Sequence, residues 1–203
     1  MEFISVGPYC ITSNLLLTLG LRTKSYPFDY IFSSLEMVEH CIHNRFDVFL
    51  DKQYYKTGTA PDVNESNTHH LFYSKMIDTE LLRKHHIANN LPDIAKNLKN
   101  REVFLHHNLL DNNTYLAFTR RCKRLLDLID EKKQIVFVYC NSYTEDFDDI
   151  AKFHNCFLDN ENIYTIGIFQ NGSDKKILYE NGRCKIYQNY EPSSIIIDPL
   201  FYS

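Results

Sequence analysis

Between Glu102 and Phe169 the chain alternates short, almost wholly apolar runs with longer segments of helical periodicity. Glu102 to His106, Gln134 to Cys140 and Ile163 to Phe169 read as strands. About Asn113 to about Glu131 and Thr144 to Leu158 read as helices, the second capped by Thr144 with acidic residues in its first turn. Strands that are apolar throughout need cover on both faces, and βαβ units around a parallel sheet supply it. The N-terminus begins the same way. Phe3 to Pro8 reads as a short buried strand, and Ile11 to Leu19 as a helix with Gly20 as its C-terminal cap. After Gly172, Lys176 to Tyr179, the Asn181-Gly182 turn and Arg183 to Gln188 form a hairpin. Ser193 to Ile197 reads as a last strand, closed by Asp198-Pro199. The expected fold is one α/β domain over 1–203: a mixed, largely parallel central sheet, helices on both faces in three layers, and a C-terminal β-hairpin.

The remaining segments are less regular. Ser34 is a helix cap without a full capping box, since Met37 occupies the third helical position, and a helix runs from about Leu35 to about Ile42. Phe46, Val48, Phe49 and Leu50 make an apolar patch. Residues 51–68 are polar, with Gly58, Pro61 and Asn64, and read as a loop or lid. A further helix is expected from about Asp78 to about Asn100, broken near Pro92.

Composition excludes several classes. A length of 203 residues suits one domain. A net charge of −4 gives no basic field for nonspecific nucleic-acid or anionic-membrane binding. No apolar segment is long enough to span a bilayer, and the N-terminus lacks the pattern of a secretory signal. The six cysteines stand singly, with no CxxC pair, so zinc-ribbon and thioredoxin-like readings fail. Reduced thiols in a cytoplasmic setting are expected, the host cytoplasm if the source is viral. The pairs His69-His70 and His85-His86 lack the helical i, i+4 spacing of a chelate, so no metal is expected. With six glycines and no P-loop, GxGxxG or GxSxG, no cofactor is expected either. Heptads are absent, which argues against a coiled coil and leaves the oligomeric state open.

The chemistry-bearing residues are few. Cys10 falls on the predicted strand-to-helix turn, where unpaired N–H groups and the macrodipole favour a thiolate and a lowered thiol pKa. Buried, inert packing is the alternative for any free cysteine. His106 and His107 are expected at the carboxyl end of a parallel strand, the edge where open α/β sheets bind ligands. Neighbours in an extended segment point to opposite faces, so one would face a site and the other would not. Asp29 lies in Tyr26-Pro27-Phe28-Asp29-Tyr30, where a carboxylate in an apolar frame needs a partner. It orients a histidine or, more commonly, caps a turn or helix. In Arg120-Arg121-Cys122-Lys123-Arg124, Arg120 and Arg124 share a helix face and form either a clamp for phosphate or carboxylate or a solvated surface.

These residues carry a family resemblance. Ser5-Val6-Gly7-Pro8-Tyr9-Cys10, Leu19-Gly20-Leu21-Arg22, Tyr26 to Ser34, His106-His107-Asn108, Arg120-Arg121 and Ile135 to Tyr139 together resemble a family described as papain-like cysteine peptidases. It is a domain of unknown function found in bacteria and large DNA viruses. The resemblance covers roughly residues 3 to 170, and its most specific part is Gly-x-x-Cys followed by Pro-Phe-Asp. The family usually has Asn before the cysteine and Trp after Pro-Phe-Asp, where this chain has Tyr9 and Tyr30.

The resemblance implies a thiol-dependent hydrolase or acyltransferase acting on an amide, isopeptide or thioester bond of a peptide or small molecule. Cys10 would be the nucleophile, His107 or His106 the base, and Asp29 or Asn108 the orienter. It also implies a papain-like arrangement with the cysteine helix against an antiparallel sheet, whereas the alternation of strands and helices implies a parallel one. The same residues allow a different function. Tyr26 and Phe28 of the Pro-Phe-Asp loop, the two histidines and Arg120 or Arg121 would line a pocket for an anionic ligand such as a nucleotide sugar, bound without covalent catalysis.

Overall fold

A computed structural model describes residues 1–57, 68–80, 83–84, 103–104, 106–141, 147–170 and 173–196. Its centre is a five-stranded sheet. Strands β1 (Glu2–Ser5), β4 (Ile135–Asn141), β5 (Ile163–Phe169) and β7 (Cys184–Gln188) run parallel in that order, and β6 (Lys176–Asn181) pairs antiparallel with β7 at the edge. The parallel alternation predicted from the sequence is therefore the architecture.

All seven residues of β4 are buried, and the strand's two faces feed two cores. Ile135, Phe137 and Tyr139 join one core with Met37, Val38 and Cys41 of α2 (Leu35–His43). Phe118 and Leu125 of α4 (Asn112–Asp130), and Ile150 and Phe153 of α5 (Asp148–Asn155), belong to the same core. Val136, Val138 and Cys140 join the other with Leu16 of α1 (Cys10–Thr18) and Ile195 and Ile196 of α6 (Pro192–Ile196). Helices thus cover both faces. On β5, a Cβ at Gly167 would lie 2.7 Å from Ile150 Cδ1, so glycine lets α5 settle directly on the strand.

The local signals explain the boundaries. Gly20, at φ +70°, ends the turn after α1, and Leu21 N and Arg22 N both return to Leu16 O. Ser34 Oγ accepts from Met37 N at 3.1 Å, and Asp111 caps α4 by accepting from Thr114 N at 2.8 Å. Gly182, at φ +49°, turns the hairpin. A short helix α3 (Asp47–Leu50) places Phe49 in contact with Phe28, Phe46, Phe104 and Phe118.

Four expectations need correction. Ser193 to Ile197 is not a strand. Residues 192–196 form α6, because Pro192 suits a first helical turn and β6 already holds the sheet edge beside β7. Nor is Glu102 to His106 a strand of the sheet. Within it Phe104 makes one antiparallel bridge to Thr68, Val103 O accepts from Phe32 N, and Glu102 and Leu105 lie outside the described residues. The apolar run there reflects burial of an irregular segment, since Val103 and Phe104 are fully inaccessible. The ends of the loop expected at 51–68 are regular, with a 3-10 turn and a ribbon of β2 (Tyr55–Thr57) with β3 (Thr68–His70), while residues 58–67 lie outside the described residues. Finally, α5 starts at Asp148, later than expected, and Thr144 lies outside the described residues. Of the helix expected over 78–100, Thr79, Glu80, Arg83 and Lys84 are helical, and the remainder from 85, Pro92 included, lies outside the described residues.

Two buried histidines make the fold acid-sensitive. His70 is inaccessible, with Nε2 3.2 Å from Val48 O and Nδ1 3.3 Å from Tyr73 N. One neutral tautomer satisfies both bonds, and a second proton on Nδ1 destroys the bond from Tyr73. Burial depresses the pKa of His70 and of His154 to about 4. A folded pKa below the unfolded value of about 6.5 means that this stability is full above pH 6.5, drains as pH falls from 6.5 to 4, and is lost below 4. His70 alone contributes on the order of 3 kcal/mol to the loss. Urea unfolding at stepped pH between 7 and 4 should show the decline, and a flat profile over that window would contradict it.

Candidate functional site

The first turn of α1 is pinned to the carboxyl end of β4. Thr12 Oγ1 accepts from Cys140 N at 3.0 Å and donates to Cys140 O at 3.2 Å, both buried. Val6 N bonds Val138 O at 3.0 Å, after which residues 7–9 make the turn. A Cβ at Gly7 would sit 2.2 Å from Tyr139 Cδ2, so only glycine lets the turn rest on that ring. This is the physical reason for the glycine three residues before Cys10. Tyr9 adopts an extended conformation (φ −160°, ψ −169°) and caps no helical N–H with its side chain. Its hydroxyl instead lies 3.4 Å from Asn141 Oδ1.

Cys10 is the first residue of α1, as the sequence predicts, and is half-buried. All six cysteines are free; Cys41, Cys122, Cys140 and Cys184 are buried, and Cys156 is exposed. The expected drop in thiol pKa is not found. Burial raises the Cys10 pKa, and its own backbone N–H only partly offsets that.

Asp29 is 1% exposed and ties three elements together. Oδ1 accepts from Ser13 Oγ of α1 at 3.0 Å, Oδ2 accepts from Tyr26 N at 2.9 Å, and Arg22 Nη1 approaches Oδ2 at 3.5 Å. Burial still raises its pKa, against these three partners and the more distant charge of Arg121. Tyr30 follows in the left-handed region at φ 60°, with the Arg22 guanidinium 4.9 Å over its ring and its hydroxyl donating to Asn14 Oδ1 at 2.9 Å. The segment then returns to the start of α1, where Ser33 N bonds Pro8 O at 3.0 Å. Asp29 is therefore an anchor of this loop, and no histidine is among its partners in the described residues.

His107 stands 5.1 Å from the Phe118 ring in edge-on contact, with Nε2 buried and without a hydrogen-bond partner. Burial, then Arg121 and His106, push its pKa down to about 4. His106 is exposed. Among the described residues no hydrogen bond or ring contact joins Cys10 to either histidine. Ser13, one helical turn beyond Cys10, reaches Asp29; the charge of Arg121 acts on both Asp29 and His107. Asn108 Oδ1 accepts from Leu110 N at 3.0 Å and Thr68 Oγ1 at 3.3 Å, which makes it a turn cap. Tyr26 and Phe28 are each 1% exposed, so neither presents a face to a ligand. Tyr26 donates to Glu2 Oε2 at 2.9 Å, and Phe28 packs on Phe46 at 5.8 Å.

Two clefts flank these residues. One, of about 370 Å³, opens beside the Pro8 turn. Ser33, Ser34 and Tyr139 line it together with the acidic Glu36, Glu39, Asp78 and Asp149 and with Lys152, which pairs with Asp149. The other, of about 250 Å³, holds Arg120 and Arg121, with Lys24 and Arg124 beside them. Sequence reasoning missed Thr12, Ser13 and Arg22. The available signal was polar side chains on an apolar helix, which need partners once buried. No group of three His, Cys, Asp or Glu side chains among the described residues is placed to hold a metal.

A parallel α/β sheet with a half-buried cysteine opening the helix after its first strand is the class these observations define. Residues 1–156 match the family described as "Putative papain-like cysteine peptidase", and the chain belongs to that family. The matched stretch runs from β1 to just past α5 and contains every candidate site residue; β5, the hairpin and α6 lie beyond it. No curated protein and no solved structure matches the chain. No described helix is long and apolar enough to cross a membrane.

The roles of Gly7 and Asp29 are measurable. Gly7→Ala should cost about 1–3 kcal/mol through its clash with Tyr139, and an unchanged denaturation midpoint would refute that contact. Asp29→Ala leaves Arg22 without its buried partner and should cost about 3 kcal/mol or more. A variant of unchanged stability would refute the anchoring role of Asp29.

Proposed function

We propose that the chain is a thiol-dependent hydrolase or acyltransferase, with Cys10 as nucleophile, acting on an amide, isopeptide or thioester bond. The observation that carries this reading is the place of Cys10: half-buried, first in a helix without a side-chain cap, at the carboxyl edge of a parallel sheet. There the first-turn N–H groups are available to an oxyanion formed on the substrate carbonyl. His107 supports the reading as base, because it is neutral near pH 7 and its Nε2 has no partner.

Both pKa shifts favour a resting pair of neutral thiol and neutral imidazole. Proton transfer from Sγ to the imidazole must then accompany attack, and it requires His107 to close on Cys10 when substrate binds. Attack forms an S–C bond and an oxyanion. Collapse expels the amine or thiolate, which takes the proton from the imidazolium. Water or a second nucleophile then cleaves the resulting thioester. The cleft beside Pro8 adjoins the turn that leads into Cys10, although Cys10 is not among its lining residues, and Glu36, Glu39 and Asp78 there, with Asp149 already paired to Lys152 at 3.0 Å, favour a cationic segment. A second reading, non-covalent binding or transfer of an anionic ligand such as a nucleotide sugar, draws on the raised thiol pKa and the missing contact between Cys10 and His107.

The test is acyl-enzyme capture. With activated thioesters and basic peptide amides, intact-protein mass spectrometry should find an acyl adduct on the Cys10 peptide. Cys10→Ser should abolish turnover while circular dichroism stays native, and His107→Gln should slow acylation by about 100-fold or more. Turnover that survives Cys10→Ser would overturn the assignment.

A further inference from the structure

The second cleft lies away from Cys10, towards the amino end of β1. Its lining is Lys24, Ser25, Ala117, Arg120, Arg121 and Arg124. Four cations therefore face one cleft of about 250 Å³ on a chain whose net charge is −4. The nearby carboxylates do not balance them. Glu2 takes Lys24 at 3.4 Å and the Tyr26 hydroxyl at 2.9 Å, and Asp29 is engaged by Arg22, Ser13 and the Tyr26 N–H. Among the described residues no carboxylate pairs with Arg120 or Arg124.

The two inner guanidinium groups are held in place before any ligand arrives. Arg121 lies with Cζ 4.6 Å over the Phe118 ring, and Arg124 lies 6.0 Å from the Tyr26 ring while donating to Ser25 O. Arg121 Nη1 is buried without a hydrogen-bond partner. A cationic donor without an acceptor is costly, and Arg121 lines the cleft, so an anion held there would lie beside an undersatisfied guanidinium. Burial, and then the charges of Arg22 and Arg124, weaken the hold of Arg121 on its proton, against the opposing charge of Asp29. Lys24 and Arg120 stand at the rim, Lys24 with a half-exposed side chain and Arg120 exposed.

We propose that this cleft is a binding site for the phosphoryl group of a ligand, gripped by Arg121 and Arg124 from below and by Lys24 and Arg120 at the rim. Fork-shaped guanidinium donors match phosphoryl oxygens pairwise, and lysine adds a point charge. The volume falls below the roughly 300–1,000 Å³ of pockets that enclose a drug-sized ligand, so the site holds an anionic head and leaves any attached group outside. It shares no lining residue with the cleft beside Pro8, although the charge of Arg121 also reaches Asp29 and His107.

Inorganic pyrophosphate is the probe, titrated calorimetrically at low ionic strength into the wild-type protein and into the double variant Lys24→Gln/Arg120→Gln. Both substituted side chains lie at the surface, so the fold should persist, and circular dichroism checks it. Saturable binding is expected, weakened about tenfold or more in the double variant. Malonate, a dianion with flat carboxylates, should bind more weakly than pyrophosphate. The proposal is overturned by no binding, by equal affinity in the two proteins, or by malonate binding as tightly as pyrophosphate. Cys10→Ser should bind pyrophosphate as the wild type does, whatever becomes of turnover.

Discussion

The carboxylate of Asp29 is the interaction on which the N-terminal half depends. A buried carboxylate is tolerable only when its oxygens are occupied, and here Ser13, the Tyr26 amide and Arg22 occupy them. Ser13 belongs to α1, Arg22 follows the turn at Gly20, and Tyr26 begins the return path. One side chain thus folds residues 22–34 back along the helix that Cys10 opens. The return path also closes the core, since Phe28 meets Phe46 and Phe49, and Phe32 N reaches Val103 O. Pro-Phe-Asp is therefore a structural device first: the proline and aromatic shape the loop, and the acid locks it.

Burial governs the electrostatics of the site. A helix N-terminus would ordinarily lower a cysteine pKa, yet desolvation dominates at Cys10 and at His107, raising the one and lowering the other. Both are therefore neutral near pH 7. Under the proposed function, charge would form only as a substrate is attacked, when the oxyanion and the first-turn N–H groups can share it. The cation-lined cleft follows the reverse logic, holding guanidinium groups on aromatic faces with no carboxylate paired to Arg120 or Arg124 among the described residues.

The sheet was legible because fully buried parallel strands have a plain signature. Ile163 to Phe169, Gln134 to Cys140 and the hairpin around Asn181-Gly182 stand where the pattern puts them, give or take a residue. Val103-Phe104 and Ile195-Ile196 misled for one reason. Short apolar runs record burial, and burial alone does not distinguish a strand from an irregular segment or a helical turn. Only the partner tells: Thr68 offers Phe104 a single bridge, and the sheet face takes Ile195 and Ile196. At the site, the position of Cys10 was readable from the strand, turn and glycine cap around it. For Asp29 the sequence offered a local cap, which the bond from Tyr26 N matches, but not the ties to Ser13 and Arg22.

The sequence by itself determined the periodicities, the caps and the cysteine's place at a strand-to-helix turn, because these depend on neighbours within a few residues. Tertiary structure decided why residue 7 is glycine, since a Tyr139 ring from a strand more than a hundred residues away presses on that turn. It decided likewise that Asp29 binds Ser13 and Arg22 rather than a histidine, that His107 leans on Phe118, and that Lys24 joins Arg120, Arg121 and Arg124 around one cleft. Charge, burial and pKa are set by distances through space, and no local pattern fixes those.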